Sequence, residues 1–350
     1  MDTSGSFRCY CGTVCTTSIL QTTKAGLHYT VRHAITWRPL LLQHGADVNA
    51  QDKDHLTPLH RVSLWKQIEA IPLLLDHNAD IDAEDKEGMA PLHLASSKLH
   101  TDVISLLLDR GANPNAEDKE GSTPLHLVSS GGGDSETISL LVGHGASANA
   151  VDKDGWTPLH LASSNGKTAT AQSLLELGAN ANANDKDKWT PLHLASSKGH
   201  TETVRLLLDR GANENSEDKD EWTPLHLASS KGHTETVRLL LDRGANENSE
   251  DKEGWTPLHL AASDGYTETV RLLLDHGANA NAEDKEGWTP LHLASSDGHA
   301  MTVRLLLDRG ASVDVKNKKR RTPLQVASKQ GMDNVVQILA EHGAEVYEEL

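Results

Sequence analysis

Apolar residues along this chain follow two short helical patterns that alternate and are separated by polar turns. Within residues 190–222, Val204, Leu207 and Leu208 fall at i, i+3 and i+4, after a shorter apolar stretch that follows Pro191. This spacing predicts one buried stripe along a helix. The Asn, Asp and Glu residues that come next predict an extended, hairpin-like loop. The pattern therefore predicts a helix–turn–helix unit that ends in a projecting loop, here called a finger.

The bounds of both helices can be predicted from residues that start and stop helices. Thr190 is a suitable N-cap, and Pro191 suits the first helical position, where a missing N–H costs nothing. Gly199 ends the first helix, Thr201 lies near the start of the second, and Gly211 closes the second helix in a left-handed conformation. Helices of about ten residues are unstable alone in water, so the units must stack on one another.

The motif Thr-Pro-Leu-His recurs along most of the chain and sets the period of the pattern. It begins at residues 57, 90 (where Ala replaces Thr), 123, 157, 190, 223, 256 and 289, and it becomes Thr-Pro-Leu-Gln at 322. Each step is 33 residues, except one of 34 after Thr123 that reflects the Gly131-Gly132-Gly133 run. A fixed period of this size is typical of a stacked repeat array.

We expect the array to occupy residues 25–350, with a degenerate unit at about 25–56 followed by nine repeats that start at the motif positions. Residues 1–24 are predicted to be a polar, disordered leader. Pro39 and Pro72 should shorten the second helix of the first two units. The predicted molecule is an elongated α-solenoid.

Two stretches, Gly-Trp-Thr-Pro-Leu-His-Leu-Ala at 254–261 and Val-Arg-Leu-Leu-Leu-Asp-Arg-Gly-Ala-Asn at 204–213, resemble the ankyrin repeat family. The resemblance covers about residues 25–345. It implies an all-α fold, an α-solenoid of stacked helix–turn–helix repeats with β-hairpin fingers on one side.

The resemblance also implies a structural role for the motif histidines, each bonded to the motif Thr hydroxyl and to the neighbouring finger. Ala90 lacks the hydroxyl, and Gln325 stands where the last unit would have its His. The residues to which this role is carried over are Thr57, His60, His93, Thr123, His126, Thr157, His160, Thr190, His193, Thr223, His226, Thr256, His259, Thr289 and His292.

Composition and charge exclude several classes of partner. The net charge of −17 disfavours nonspecific binding to nucleic acid or anionic membranes, and it favours a basic partner. No apolar run approaches the roughly 20 residues of a membrane span. We expect a monomeric intracellular protein, cytoplasmic or nuclear. The basic run 316–321 in the last finger is either an ordinary turn or a nuclear-import signal.

Neither catalysis nor a cofactor is indicated by the titratable residues. Most of the twenty histidines fall at three repeated positions, about 10 Å apart between units, which is too far for two to share a zinc ion. Cys9, Cys11 and Cys15 lack a fourth ligand at ordinary spacing. The acidic pairs of the fingers, such as Glu217-Asp218, lack the spacing of a calcium loop, and we interpret them as solvated turns. We therefore expect no enzyme activity, no metal and no cofactor.

A row of tryptophans is the feature that most strongly suggests binding. One Trp immediately precedes the Thr-Pro of each of five successive units. Each indole either packs on the adjacent finger and stiffens the array, or forms an exposed ladder of the side chain most enriched at interaction hot spots. With finger tips and inner helices added from the resemblance, the candidate partner-binding residues are Trp156, Trp189, Trp222, Trp255, Trp288, Lys219, Asp220, Ser230, Lys231, Lys252, Glu253 and Asp264.

The expected function is a non-catalytic scaffold or adaptor that binds a protein partner through finger tips and the inner helix face. Residues 190–222 and 223–255 differ only at positions 220/253 and 221/254. This monotony indicates either recent duplication or a partner that is itself extended or repetitive. The alternatives are a cytoplasmic or nuclear regulator that masks basic segments of a partner, or the ankyrin portion of a larger multidomain protein.

Overall fold

A computed structural model describes residues 46–345, and this part of the chain contains eighteen α-helices in nine pairs. Each pair has a first helix that begins at the motif proline. These first helices are α1 (Pro58–Leu64), α3 (Pro91–Ser97), α5 (Pro124–Gly131), α7 (Pro158–Ser164), α9 (Pro191–Ser197), α11 (Pro224–Ser229), α13 (Pro257–Ser263), α15 (Pro290–Ser296) and α17 (Pro323–Gln330).

The second helix of each pair begins a few residues later and carries the Val and Leu stripe. These helices are α2 (Ala70–Asp76), α4 (Thr101–Asp109), α6 (Ser135–Gly143), α8 (Thr168–Glu176), α10 (Thr201–Asp209), α12 (Thr234–Asp242), α14 (Thr267–Asp275), α16 (Ala300–Asp308) and α18 (Asp333–Glu341). None of the helices in residues 46–345 combines the length and apolar character needed to cross a membrane.

The helix starts and stops follow the residues from which they were predicted. The Thr190 hydroxyl accepts a hydrogen bond from the His193 N–H at 3.4 Å, and Pro191 occupies the first turn of α9. Gly199 and Gly211 follow the two helices with φ of 68° and 83°, the left-handed region that glycine adopts at low cost. Local chemistry therefore sets the limits of each helix.

Two irregularities of the sequence have the expected structural result. The helix α2, which contains Pro72, has seven residues, whereas the second helices of the other units have nine. The extra residue of the Gly131-Gly132-Gly133 run lies at the turn between α5 and α6. Pro39, the three cysteines, the leader and most of the degenerate first unit lie outside the described residues.

The described residues divide into two compact units, 46–131 with 140–146 and 132–139 with 147–345. In the first, α1 packs on α3 and α3 on α5. In the second, α7, α9, α11, α13, α15 and α17 pack in file, and α8, α10, α12, α14, α16 and α18 form a parallel file. Leu192, Ala195, Val204 and Leu207 are fully buried, so a two-layer apolar core runs along the stack.

The fingers are tight turns in the described part of the chain, which contains no β-strand. The β-hairpin form that the resemblance implied is thus not shown. Neighbouring fingers are linked by single backbone bonds, such as that from the Lys219 N–H to the Asp187 carbonyl at 3.0 Å. Neighbouring fingers therefore contact one another without forming the repeated hydrogen bonds of a β-sheet.

Candidate functional site

Each finger from 52–56 to 284–288 is built around one aspartate that folds the turn. In the finger 185–189, the Asp185 Oδ1 accepts hydrogen bonds from the Asp187 and Trp189 N–H groups, both at 2.8 Å. The Asp185 N–H donates to the Trp189 carbonyl at 3.0 Å, which closes the turn. A short polar side chain that bonds the backbone two residues on is a recognised turn former. The turn fixes the residue that precedes the motif Thr.

The motif histidine connects its own helix to the finger of the next unit. The Thr190 N–H donates to His193 Nδ1 at 3.1 Å, and the Thr190 hydroxyl lies 2.8 Å from the same nitrogen. Because Nδ1 accepts a backbone hydrogen bond, the ring proton is on Nε2, which donates to the Trp222 carbonyl at 3.1 Å. These are the contacts that the family resemblance implied.

The same two contacts are made by His60, His160, His226, His259 and His292, and two units differ at Ala90 and Gln325. Ala90 has no hydroxyl, and only its N–H donates to His93 Nδ1, at 3.0 Å. The Gln325 Oε1 accepts from the Thr322 N–H at 3.0 Å, so glutamine keeps the local half of the arrangement. The motif His is therefore a structural connector.

Burial holds these histidines in the neutral form. Loss of hydration lowers the pKa of the His193 ring below its ordinary value of 6.5, and the carbonyl bond and nearby carboxylates oppose this shift only in part. The residues whose pKa is lowered in this way are His60, His93, His160, His193, His226, His259 and His292. A neutral ring suits the two-sided hydrogen bonding described above.

The five tryptophans of the row are each half-buried. Every indole packs against the motif His four residues further on, with ring centroids 5.8–6.2 Å apart and tilted planes. The Trp156 Nε1–H donates to the Asp185 Oδ2 of the next finger at 3.1 Å. The row is therefore neither a fully exposed ladder nor packed out of contact with solvent.

The charged candidate residues at the finger tips are exposed and joined along the row. Lys219 Nζ lies 2.9 Å from the Asp187 carboxylate, and Lys252 Nζ lies 3.5 Å from that of Asp220. Glu253 is exposed at the tip of its finger. Exposed pairs of this kind contribute little to stability, so they mainly set the charge that the tips present.

The candidates on the inner helices differ in their access to solvent. Lys231 and Asp264 are exposed. Ser230 is only 9% exposed, and its hydroxyl donates to the Leu227 carbonyl at 3.0 Å. This residue offers a partner no side-chain surface, because its polar atom turns back onto the helix, and we remove it from the proposed surface.

Sequence reasoning missed the position of the finger aspartates. We interpreted the acidic pairs of the fingers as solvated turns, whereas Asp218 is 7% exposed and its Oδ1 accepts from the Trp222 N–H at 2.9 Å. The equivalent residues are Asp152, Asp185, Asp251 and Asp284. The signal was present in the sequence, since an Asp stands four residues before every Trp of the row.

Fingers without a tryptophan keep the same backbone arrangement. The Asp85 N–H donates to the Met89 carbonyl at 3.0 Å, and that carbonyl accepts from His60 Nε2 at 2.9 Å. Ser122 takes the same place with His93 at 3.0 Å. In the basic finger, the Arg321 carbonyl accepts from His292 at 3.0 Å. The connection to the motif His thus uses the carbonyl and is independent of the side chain.

No group of three or more His, Cys, Asp and Glu side chains in residues 46–345 is placed to hold a metal ion. Both ring nitrogens of the buried His226 are engaged, Nδ1 with the Thr223 N–H and Nε2 with the Trp255 carbonyl. A ring held in this way has no free nitrogen to act as a general base.

Comparison with known families gives one match. The family model described as ankyrin repeats (3 copies) matches six overlapping segments, which together extend from residue 27 to residue 349. The segments are 27–118, 112–185, 169–251, 210–284, 243–317 and 278–349. No curated protein matches the chain.

Proposed function

The chain belongs to the ankyrin repeat family, a family of protein-interaction modules, and on this premise we propose that it is a non-catalytic scaffold whose tryptophan row is the main contact with a protein partner. The partner lies along the fingers and the exposed edge of the inner helices. The contact surface consists of Trp156, Trp189, Trp222, Trp255 and Trp288, with the exposed tip and helix residues Lys219, Asp220, Lys231, Lys252, Glu253 and Asp264.

One observation carries this proposal: the fold does not require the tryptophans. Met89, Ser122 and Arg321 occupy the same position and offer the same carbonyl to the preceding motif His. The five tryptophans are each only half-buried, so part of every indole remains accessible to a partner. Tryptophan is the side chain most enriched at binding hot spots, where it contributes area and a hydrogen-bond donor.

The test replaces three tryptophans of successive units with the residue that the chain itself uses elsewhere. Trp189→Met, Trp222→Met and Trp255→Met are combined, and the full chain is used to capture crosslinked partners from the cells that make it. We expect capture to fall at least tenfold, because each hot-spot residue typically contributes about 2 kcal/mol or more.

A matched control changes the outer side of the same three units. Arg205→Ala, Arg238→Ala and Arg271→Ala remove exposed residues of α10, α12 and α14 that pair only with a glutamate three residues earlier. Capture should remain near the level of the unchanged chain. Equal loss in both triple variants, or no loss in the tryptophan variant, would reject the row as the contact surface.

The remaining parts of the proposal concern the state of the protein in the cell. We propose a monomer in the cytoplasm or nucleus that needs no cofactor and binds no nucleic acid, since the net charge of −17 opposes polyanions. Sedimentation of the purified chain and imaging of the tagged chain test these points.

A further inference from the structure

The tryptophan row is flanked by a second row of carboxylates that the protein-binding proposal does not explain. The Asp185 Oδ1 accepts from the Trp189 N–H of its own finger at 2.8 Å, and the Asp185 Oδ2 accepts from the Trp156 Nε1–H of the preceding finger at 3.1 Å. A carboxylate therefore stands beside the indole, and the aspartates equivalent to Asp185 alternate with the tryptophans along the fingers. We call this alternation the Trp–Asp row (the five tryptophans with Asp152, Asp185, Asp218, Asp251 and Asp284).

The net charge of the same region is negative, since residues 190–288 contain nineteen acidic and ten basic residues. The lysines of the fingers are engaged by neighbouring fingers. Lys219 and Lys252 each pair with an acidic residue of the preceding finger, and Lys285 Nζ donates to the Lys252 carbonyl. The finger surface is thus an acidic strip with indoles at regular intervals.

An indole beside a carboxylate is suited to an organic cation. A guanidinium or ammonium group is attracted to the negative face of a tryptophan within about 6 Å of the ring centroid. The adjacent carboxylate adds a charge-assisted hydrogen bond to the same group. Arginine is favoured over lysine because its planar group can stack and bond at the same time.

The regular spacing of the indoles also indicates which backbone conformation of a partner segment would fit the row. Stacked helices lie about 8–10 Å apart, so successive indoles are separated by about the same distance. A polyproline II segment rises about 3.1 Å per residue with three residues per turn, so every third side chain lies on one edge at intervals of about 9 Å. One residue in three of such a segment therefore matches one indole per unit.

We propose, as an extension of the protein-binding function above, that the Trp–Asp row binds an extended basic segment of a partner protein with Arg or Lys at every third residue. Five indoles accommodate about 13 to 15 residues of the segment. The Trp–Asp row does not continue into the last finger. At the last finger Arg321 replaces Trp and Asn317 replaces Asp, and this basic finger repels the same segment.

The probe is a synthetic peptide of five Arg-Pro-Pro units, titrated into the full-length chain by calorimetry at low and at physiological salt. Two further peptides serve as comparisons: one with the same composition but five contiguous arginines, and one of five Glu-Pro-Pro units. We expect the Arg-Pro-Pro peptide to bind at least tenfold more tightly than the clustered peptide, which reaches only one or two indoles, and the acidic peptide not to bind.

Asparagine gives a variant that removes charge and keeps the turn. In the last finger the Asn317 Oδ1 accepts from the Lys319 and Arg321 N–H groups at 3.0 and 3.1 Å, as the aspartates do elsewhere. Asp251→Asn with Asp284→Asn, at two half-buried aspartates of the row, should therefore weaken binding of the Arg-Pro-Pro peptide about tenfold with unchanged helicity. Glu202→Gln with Glu235→Gln removes the same charge from α10 and α12 on the outer side and should weaken binding less than twofold.

The outcomes separate this inference from the proposal on which it rests. Equal weakening by the two double variants, or equal affinity for the periodic and clustered peptides, shows general charge attraction and overturns the inference. If no peptide binds while the triple tryptophan variant still loses its captured partner, the extended basic ligand is wrong and the binding surface stands. If the tryptophan variant also captures its partner normally, both proposals fail.

Discussion

Two groups of fingers in this chain share one backbone and differ in one side chain. The fingers 85–89 and 118–122 present Met89 and Ser122, whereas the five fingers from 152–156 to 284–288 present tryptophan. In both groups the first Asp folds the turn and the last carbonyl accepts from the motif His of the preceding unit. The shared backbone is therefore specified by the Asp and the motif His, and the side chain of the last finger residue can differ without changing it.

Lowering the pH should destabilise the folded chain at both groups of fingers, and this is the largest effect that we expect. Burial lowers the pKa of the seven motif histidines named above, including His60 and His93 beside the fingers without tryptophan. The unfolded chain therefore takes up protons more readily than the folded chain. The contribution of the neutral rings is fully present above pH 6.5 and is lost progressively as the pH falls below that value toward the lowered folded-state pKa.

The measurement is the urea midpoint at several pH values between 8 and 5, read by far-ultraviolet circular dichroism. We expect a constant midpoint above about pH 7 and a steep fall below 6.5, since seven sites act together. A midpoint that stays level from pH 7 to pH 5 would show that the motif histidines do not control stability.

Removal of a single motif His should be the next largest effect, and it should be similar in the two groups. His226→Ala leaves the Thr223 N–H without its partner and removes one of the two bonds to the Trp255 carbonyl, which keeps the bond from the Asp251 N–H. His93→Ala does the same for the Ala90 N–H and the Ser122 carbonyl. The unpaired N–H costs about 1–3 kcal/mol and the second lost bond about 1 kcal/mol, so we expect a decrease of about 3 kcal/mol in the free energy of unfolding.

His226→Gln is the matched control for this experiment. Because Gln325 bonds the Thr322 N–H, a glutamine at 226 should keep the local contact and lose only the contact to the next finger. Denaturant unfolding should show a smaller loss for Gln than for Ala. Equal destabilisation of the two variants would show that the hydrogen bond from the Thr223 N–H to residue 226 does not contribute to stability.

A smaller effect is expected at the fourth finger position, where the two nearly identical repeats differ. Glu221 has φ of 65°, in the left-handed region, and its equivalent Gly254 has φ of 82°. A residue with Cβ costs about 1–2 kcal/mol there, and the greater freedom of glycine in the unfolded chain offsets part of the gain. Glu221→Gly should therefore stabilise the chain by about 0.5–1 kcal/mol in urea unfolding, and Gly254→Glu should destabilise it.

The smallest effect should come from adding an indole to a finger that lacks one. Ser122→Trp leaves the Ser122 carbonyl and N–H bonds to His93 and Asp118 in place, because both belong to the backbone. We expect the free energy of unfolding to change by less than about 0.5 kcal/mol, as for most half-exposed substitutions. A loss above about 2 kcal/mol would mean that the two groups of fingers differ in more than the side chain.

Features that depend on neighbouring residues in the sequence were predictable, and features that depend on the stacked neighbour were not. Thr190, Pro191 and Gly211 mark helix limits through local chemistry, and the structure has the helices where those residues placed them. The half-burial of the tryptophans depends on the next finger, and the loss of Ser230 from the surface depends on how its hydroxyl turns. Neither property can be obtained from spacing along the chain.

The family and its helix pairs were therefore accessible from the motif period, and the family match confirms them. The finger aspartates were visible as residues but were interpreted by charge alone. Their hydrogen bonds to the backbone show that they build the turns that position the tryptophans.

Unfolding and partner capture, measured on the same preparation, show whether the tryptophans serve binding and not folding. For Trp189→Met, Trp222→Met and Trp255→Met combined, we expect a urea midpoint close to that of the unchanged chain and a loss of partner capture. A large drop in the midpoint, with capture retained by the molecules that remain folded, would show that the tryptophans serve folding instead.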